Sequence, residues 1–228
     1  MRVPALALAA LVVASVATPA VASAAAPTCA DLAGVLDAAR TCRIQATDPA
    51  YSLSISYPVE YPDQQAVVDY VKQTHDGFVN VAQAPGAHAM PYELDTTAKE
   101  SSSAPPRATR SLVLTTFQDV GGAHPQTFFQ SFSWDEAARR PITIDSLFRP
   151  GTAPFPVLLP LVQAELQRQS GQPVSIAPGM GLDPQKYRNF TIQDDSLTFY
   201  FGQGELLPES AGAVEVTVPR APLDAMLA

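Results

Sequence analysis

The chain has 228 residues, with 14 lysines and arginines against 22 acids for a formal charge of −8, and 46% of it is hydrophobic. That balance repels a phosphate backbone, and with no basic run in the chain it excludes a nucleic-acid partner. The apolar share can fill one or two cores without metal support, and three scattered histidines, His75, His88 and His124, show no metal-binding spacing, so no metal or other cofactor is expected.

Met1 and Arg2 give a positive start, residues 6–16 form a short apolar run, and Ala22-Ser23-Ala24 ends it, the pattern of a secretory signal peptide cut after Ala24. Removing residues 1–24 takes away Arg2 and no acid, so the charge goes from −8 to −9. No transmembrane segment is expected, because no run approaches the roughly 20 apolar residues of a span. Ala26, Pro27 and Thr28 before Cys29 do not make a lipobox, which points to a secreted protein, released or loosely cell-wall associated. In an exported chain the isolated pair Cys29 and Cys42 is expected to form one disulfide, worth about 3 kcal/mol in the chain-entropy picture.

Tyr51, Leu53, Ile55 and Tyr57 alternate with serines, which predicts a half-buried strand. Pro62 then opens a helix, Asp63 favours the positive end of its dipole, and Val67, Val68, Val71, His75 and Phe78 trace its buried stripe, with Gly77 expected to end it. His75 reads as a packed or capping residue and His88 as a solvated one. Tyr92, Leu94 and Thr96 predict a short strand running into KESSSAPPR at 99–107, which reads as a surface connection or a seam between halves. The chain is accordingly divided into the signal peptide at 1–24, an N-terminal α+β half at 25–104 and a C-terminal α+β half at 105–228.

Residues 111–134, SLVLTTFQDVGGAHPQTFFQSFSW, predict a β-hairpin whose tip carries His124. Gly121 and Gly122 allow positive φ, and Pro125 keeps His124 out of a helical conformation. Beyond it, residues 141–144 predict a short strand and residues 145–148 a helical turn. Phe155, Leu158, Leu159, Val162 and Leu166 then recur at helical spacing, with Gly171 past the end and Pro160 in the first turn or at a kink. Strands follow at 190–193, 197–201 and 214–218, with Leu197, Phe199 and Phe201 facing one way and Thr198 and Tyr200 the other. The 202–212 loop between the last two carries Glu205 and Glu209.

The runs FQDVGGAHP, TIDSLF, DDSLTFYFGQGELLP and AGAVEVTVP, with YPVEYPDQQAVVDYV in the first half, resemble a family of secreted bacterial proteins. That family comprises the mycobacterial secreted immunogenic proteins and a small secreted esterase. More distant likenesses are to the extracellular parts of lysozyme-sensing anti-sigma factors and a non-catalytic region of peptidoglycan deacetylases. The resemblance implies an α+β fold of mixed, largely antiparallel curved sheets with two main helices packed on them. It also implies export and two readings of function. One is an esterase acting on a small short-chain carboxylic ester; the other is a non-catalytic module that binds an envelope glycan or a host protein.

An esterase needs a nucleophile, a base and an oxyanion hole, and the G-x-S-x-G elbow that usually carries them is absent. The candidate nucleophiles are Ser131, Ser133 and Ser196, with a slight preference for Ser196. His124 is the candidate base, with Asp119, Asp195 and Glu205 as acids and the amides of Gly121 and Gly122 as oxyanion donors. Under this reading, loss of the His124 imidazole is expected to cost about 100-fold in turnover. The binding reading instead rests on Trp134 and the 202–212 loop. A two-carboxylate glycosidase pairing Glu205 with Asp194 or Asp195 requires the carboxyls to lie about 5–10 Å apart across a cleft.

Overall fold

Strands that alternate apolar and polar residues can bury only one face, whereas strands apolar throughout must be covered on both, and this difference orders the layers here. The computed structural model describes residues 28–86 and 90–228, so the signal-peptide pattern and His88 lie outside the described residues. Strands β1 (Val35–Leu36), β2 (Thr41–Asp48), β3 (Tyr51–Pro58), β4 (Tyr92–Ser103), β5 (Thr109–Asp119), β6 (Gln126–Asp135) and β7 (Arg140–Pro141) form one seven-stranded sheet in sequential order. Every pairing in it is antiparallel except β3 with β4. Helix α1 (Gln64–Ala82) is the crossover that this parallel pair requires. It buries Val67, Val68, Val71 and Phe78 in one core with Leu53, Ile55, Tyr57, Leu94, Leu112 and Leu114.

A second sheet pairs β8 (Phe190–Ile192), β9 (Ser196–Phe201) and β10 (Val214–Pro219), with β9 central. Leu197, Phe199 and Phe201 pack with Leu158, Val162 and Leu166 of helix α3 (Phe155–Ser170), whereas Tyr200 on the opposite face of β9 meets Val113 and Phe129. The layers therefore run helix, seven strands, three strands, helix. This is the expected α+β class of largely antiparallel sheets with two main helices, and the facing expected for β9 holds. In the second core the Tyr187 hydroxyl donates to the carbonyl of Gly181 at 2.7 Å, and burial pushes its phenol up to about 12.

The two sheets meet through a buried polar seam. Strand β8 pairs only with β9, so the backbone groups on its other side would stand unsatisfied in the interior, where each costs about 1–3 kcal/mol. Serines of β5 and β6 supply the partners. Phe190 N–H donates to Ser131 Oγ at 2.8 Å, Ile192 N–H donates to Ser111 Oγ at 3.1 Å, and Ser133 Oγ donates to the Phe190 carbonyl at 3.2 Å. Asn189, 2% exposed, closes the seam in return. Its Nδ2 donates to the Phe129 carbonyl and its Oδ1 accepts from Ser131 N–H, both at 3.0 Å.

Three local expectations are corrected. Helix α1 does not stop at Gly77 but runs on to Ala82, since Phe78 and Ala82 are buried and their packing outweighs the roughly 1 kcal/mol that an interior glycine costs. Strand β4 continues through residues 99–103, because β5 offers it an unbroken antiparallel partner from Asp119 to Thr109 and the Ser103 and Thr109 hydroxyls bond at 2.8 Å. The position near Ala104 falls in the turn between these strands. Strand β7 is only Arg140–Pro141; Ile144 belongs instead to a one-turn helix α2 (Ile144–Leu147), where a capping box between Thr143 and Ser146 takes over. Pro160 lies in the second turn of α3, and Gly171 ends that helix at φ +67°.

The expected disulfide is present, with Cys29 and Cys42 joined at an S–S distance of 2.05 Å. Gly34 sits against it so closely that a Cβ there would lie 2.7 and 2.8 Å from the two sulfurs.

Candidate functional site

The candidate residues fall at the two ends of the β5–β6 hairpin. At the tip, Asp119 Oδ1 accepts the Gly121 N–H at 2.9 Å, so that amide is already engaged and Gly122 is left of the two proposed oxyanion donors. Gly121 has φ +72°, and a Cβ on it would lie 2.9 Å from the Tyr92 ring, two independent reasons for glycine there. His124 is exposed, and its ring has no hydrogen-bond partner among the described residues. Of the other imidazoles, His75 sits within α1 with Nδ1 2.9 Å from Asp76 Oδ1.

Glu205 lies toward the same end, because the Gln203 N–H donates to the Thr127 carbonyl at 2.9 Å. Its carboxylate is occupied: Oε1 accepts from Arg188 Nη2 and Oε2 from the Gly202 N–H, both at 2.8 Å. The 202–212 loop is thus braced by an ion pair and by buried Leu206. Trp134, expected as a binding handle, packs against the first core.

Ser196 and Asp195 are at the far end. Ser196 Oγ donates to Asp195 Oδ1 at 3.1 Å and toward Gln193 Oε1 at 3.4 Å in the β8–β9 turn. Ile192, just before that turn, bonds Ser111, and Asp194 Oδ1 accepts the Ala104 N–H at 2.6 Å, which fixes the turn beside the β4–β5 connection. From Ser111 to Gln118 the β5 strand covers roughly 23 Å at 3.3 Å per residue, so Ser196 and His124 do not meet. The six residues of β9 likewise put roughly 17 Å between Asp195 and Glu205, too far for the glycosidase pairing. Ser131 and Ser133 are committed to the seam described above.

At the Ser196 end a pocket of ≈ 160 Å³ opens between four segments that are remote in sequence. Pro106 and Arg107 come from the β4–β5 turn, Asp135, Arg140 and Ile142 from around β7, Ile192 and Leu197 from the β8–β9 hairpin, and Arg220 and Leu227 from the C-terminal segment. Backbone bonds hold the last of these in place: Arg220 N–H donates to the Asp195 carbonyl at 2.8 Å and Ala228 N–H to the Leu147 carbonyl at 3.0 Å. The lining is largely apolar and includes three arginines, Arg107, Arg140 and Arg220, on a chain of formal charge −8. No sequence motif marks these arginines, since each stands alone in a different connection.

The fold and this site define a class: an α+β protein of two facing sheets, with a partly apolar pocket at the turn end of the smaller sheet. Residues 145–221 match the family described as a protein of unknown function, DUF3298. Two solved members of that family, from Bacteroides fragilis and Pseudomonas aeruginosa, share the fold at TM-scores of 0.54 and 0.56, with 16% and 11% identity, over 85% of this chain and 95% and 96% of theirs. Among curated proteins, the chain is 52% identical over 195 residues to the protein named esterase Rv3036c of Mycobacterium tuberculosis, covering 85% of this chain and 86% of that one. It is 48% identical over 201 residues to immunogenic proteins MPB64 of Mycobacterium bovis and MPT64 of M. tuberculosis, covering 88% of each. The chain belongs to this family of mycobacterial esterase and immunogenic proteins. Among the described residues, no helix is long and apolar enough to cross a membrane.

Proposed function

We propose that this is an exported esterase acting on small, short-chain carboxylic esters at the Ser196 end of the cleft. The observation that carries this reading is the 52% identity over most of the length of a relative named an esterase. Export is supported by the signal-peptide pattern of residues 1–24 and by the disulfide between Cys29 and Cys42. In the reaction, Ser196 Oγ attacks the acyl carbon while its proton passes to Asp195, the group it already donates to at 3.1 Å. Asp195 returns that proton to the departing alcohol oxygen, then takes one from a water that attacks the acyl-serine and passes it to Ser196 Oγ as the carboxylic acid leaves. The pocket beside this turn has the volume of a cavity that holds about six carbons, which suits a short acyl chain.

The second reading, a non-catalytic module for an envelope glycan or host protein, is favoured by one observation: among the described residues no serine hydroxyl bonds a histidine ring, so no serine–histidine pair is assembled. A serine-directed phosphonate, followed by intact mass and peptide mapping, separates the two. Stoichiometric labelling of Ser196 with loss of turnover supports the esterase. No adduct, with hydrolysis that separates from the protein on a further column, leaves the binding module.

A further inference from the structure

The three arginines that line the cleft are not accounted for by ester hydrolysis, which needs a nucleophile and a base but no cluster of cations. Arg107 and Arg140 are exposed and take part in no ion pair among the described residues. Arg220 is different: its side chain is only 13% exposed. Its Nη1 donates to the Gln193 carbonyl at 3.1 Å, and its buried Nε forms an ion pair with Asp224 Oδ1 at 3.5 Å.

The acids nearby leave Arg107 and Arg140 unpaired among the described residues. Asp135 Oδ1 accepts from the amides of Ala137 and Ala138, at 2.9 and 2.8 Å, and among the described residues pairs with none of the arginines. Asp194 is bound to the Ala104 amide, and Asp224 pairs with Arg220 at 3.5 Å. Beneath the arginines the wall is aliphatic, with Ile142, Leu147, Ile192 and Leu197. A cavity of ≈ 160 Å³ holds about six carbons, by comparison with cavities near 150 Å³ that take up benzene.

From this geometry we infer a binding site for a small aliphatic anion: a carboxylate or phosphate-monoester head held by Arg107, Arg140 and Arg220, with a chain of about six carbons lying on Ile142, Leu147, Ile192 and Leu197. A carboxylate or phosphate matches the planar fork of a guanidinium, which an alcohol or a cation cannot do. The site breaks no bond and stands whether or not Ser196 is a nucleophile.

The test is titration of the whole secreted protein with hexanoate, hexyl phosphate, hexan-1-ol and acetate, followed by calorimetry and by methyl chemical shifts of Leu147, Ile192 and Leu197. Hexanoate or hexyl phosphate should bind at least about tenfold more tightly than hexan-1-ol and acetate, the size of effect expected when one charge-assisted hydrogen bond is lost. Whichever of the two anions binds more tightly identifies the head group. The exposed substitutions Arg107→Gln and Arg140→Gln, which leave the buried contacts intact, should each weaken the anion by about three- to tenfold without moving the affinity for hexan-1-ol. Equal affinity for hexan-1-ol and both anions, or no methyl shift with any of them, overturns the site. Arg220→Lys serves as a second variant: a folded protein that binds the anion unchanged would also overturn it.

Discussion

The two ends of the β5–β6 hairpin differ in what makes them conspicuous. The tip gathers two glycines, a histidine and a proline within five residues, yet in three dimensions it is an exposed turn whose histidine has no hydrogen-bond partner among the described residues. The opposite end has no comparable run of residues. There the β4–β5 turn, the β7 region, the β8–β9 hairpin and the C-terminal segment converge on one cleft, and Asp195 and Ser196 bond to each other in the turn between two of its lining residues, Ile192 and Leu197. Unusual local sequence can signal what the backbone needs in order to turn, and that need is met at Gly121. A concave site needs walls from several directions, and those come from residues far apart in the chain.

The largest expected effect tests which end is chemical. Ser196→Ala and Asp195→Asn should each lower ester turnover by at least about 100-fold, the usual contribution of a positioned proton acceptor and its partner. Under the same assay His124→Ala should leave kcat/KM within about twofold, since more than roughly 20 Å separates that ring from Ser196. The reverse outcome would move the active site to the tip and break the comparison.

The next effect concerns the seam that fixes the cleft end against the large sheet. Asn189→Ala removes the partners of the Phe129 carbonyl and the Ser131 N–H together, and should lower stability by about 2–5 kcal/mol, read as a fall in the urea midpoint. A midpoint shift under 0.5 kcal/mol-equivalent, roughly the effect of an ordinary surface change, would mean that the seam does not couple the sheets.

At the tip the expected effects are smaller and purely conformational. Gly121→Ala should cost about 1–2 kcal/mol through its left-handed backbone, with a further contribution from crowding against Tyr92. His124→Ala should change stability by no more than about 0.5 kcal/mol, as expected of an exposed side chain without partners. Thermal melts of the two variants side by side sharpen the contrast: glycine matters to the turn and the imidazole does not. A His124→Ala melt as damaging as that of Gly121→Ala would show that the ring supports the fold.

What the sequence determined by itself was what neighbours along the chain decide. Alternation placed β3, β5, β6 and β9 and predicted that Leu197, Phe199 and Phe201 face away from Tyr200; helical spacing placed α1 and α3; and an isolated cysteine pair in an exported pattern gave the disulfide. Where a local rule met a distant partner, the partner prevailed. Gly77 did not stop α1 because Phe78 and Ala82 were buried against the sheet, and the serines at 101–103 stayed in β4 because β5 ran alongside them. Ser131 and Ser133 look in sequence like free hydroxyls on a strand, but tertiary structure set the bare side of β8 beside them and made them its hydrogen-bonding partners. The cleft and its three arginines were likewise decided only by folding. Local sequence sets φ, ψ and facing over a few residues, whereas a pocket and the partners of a buried polar group are fixed by which distant segments the packing of the two cores brings together.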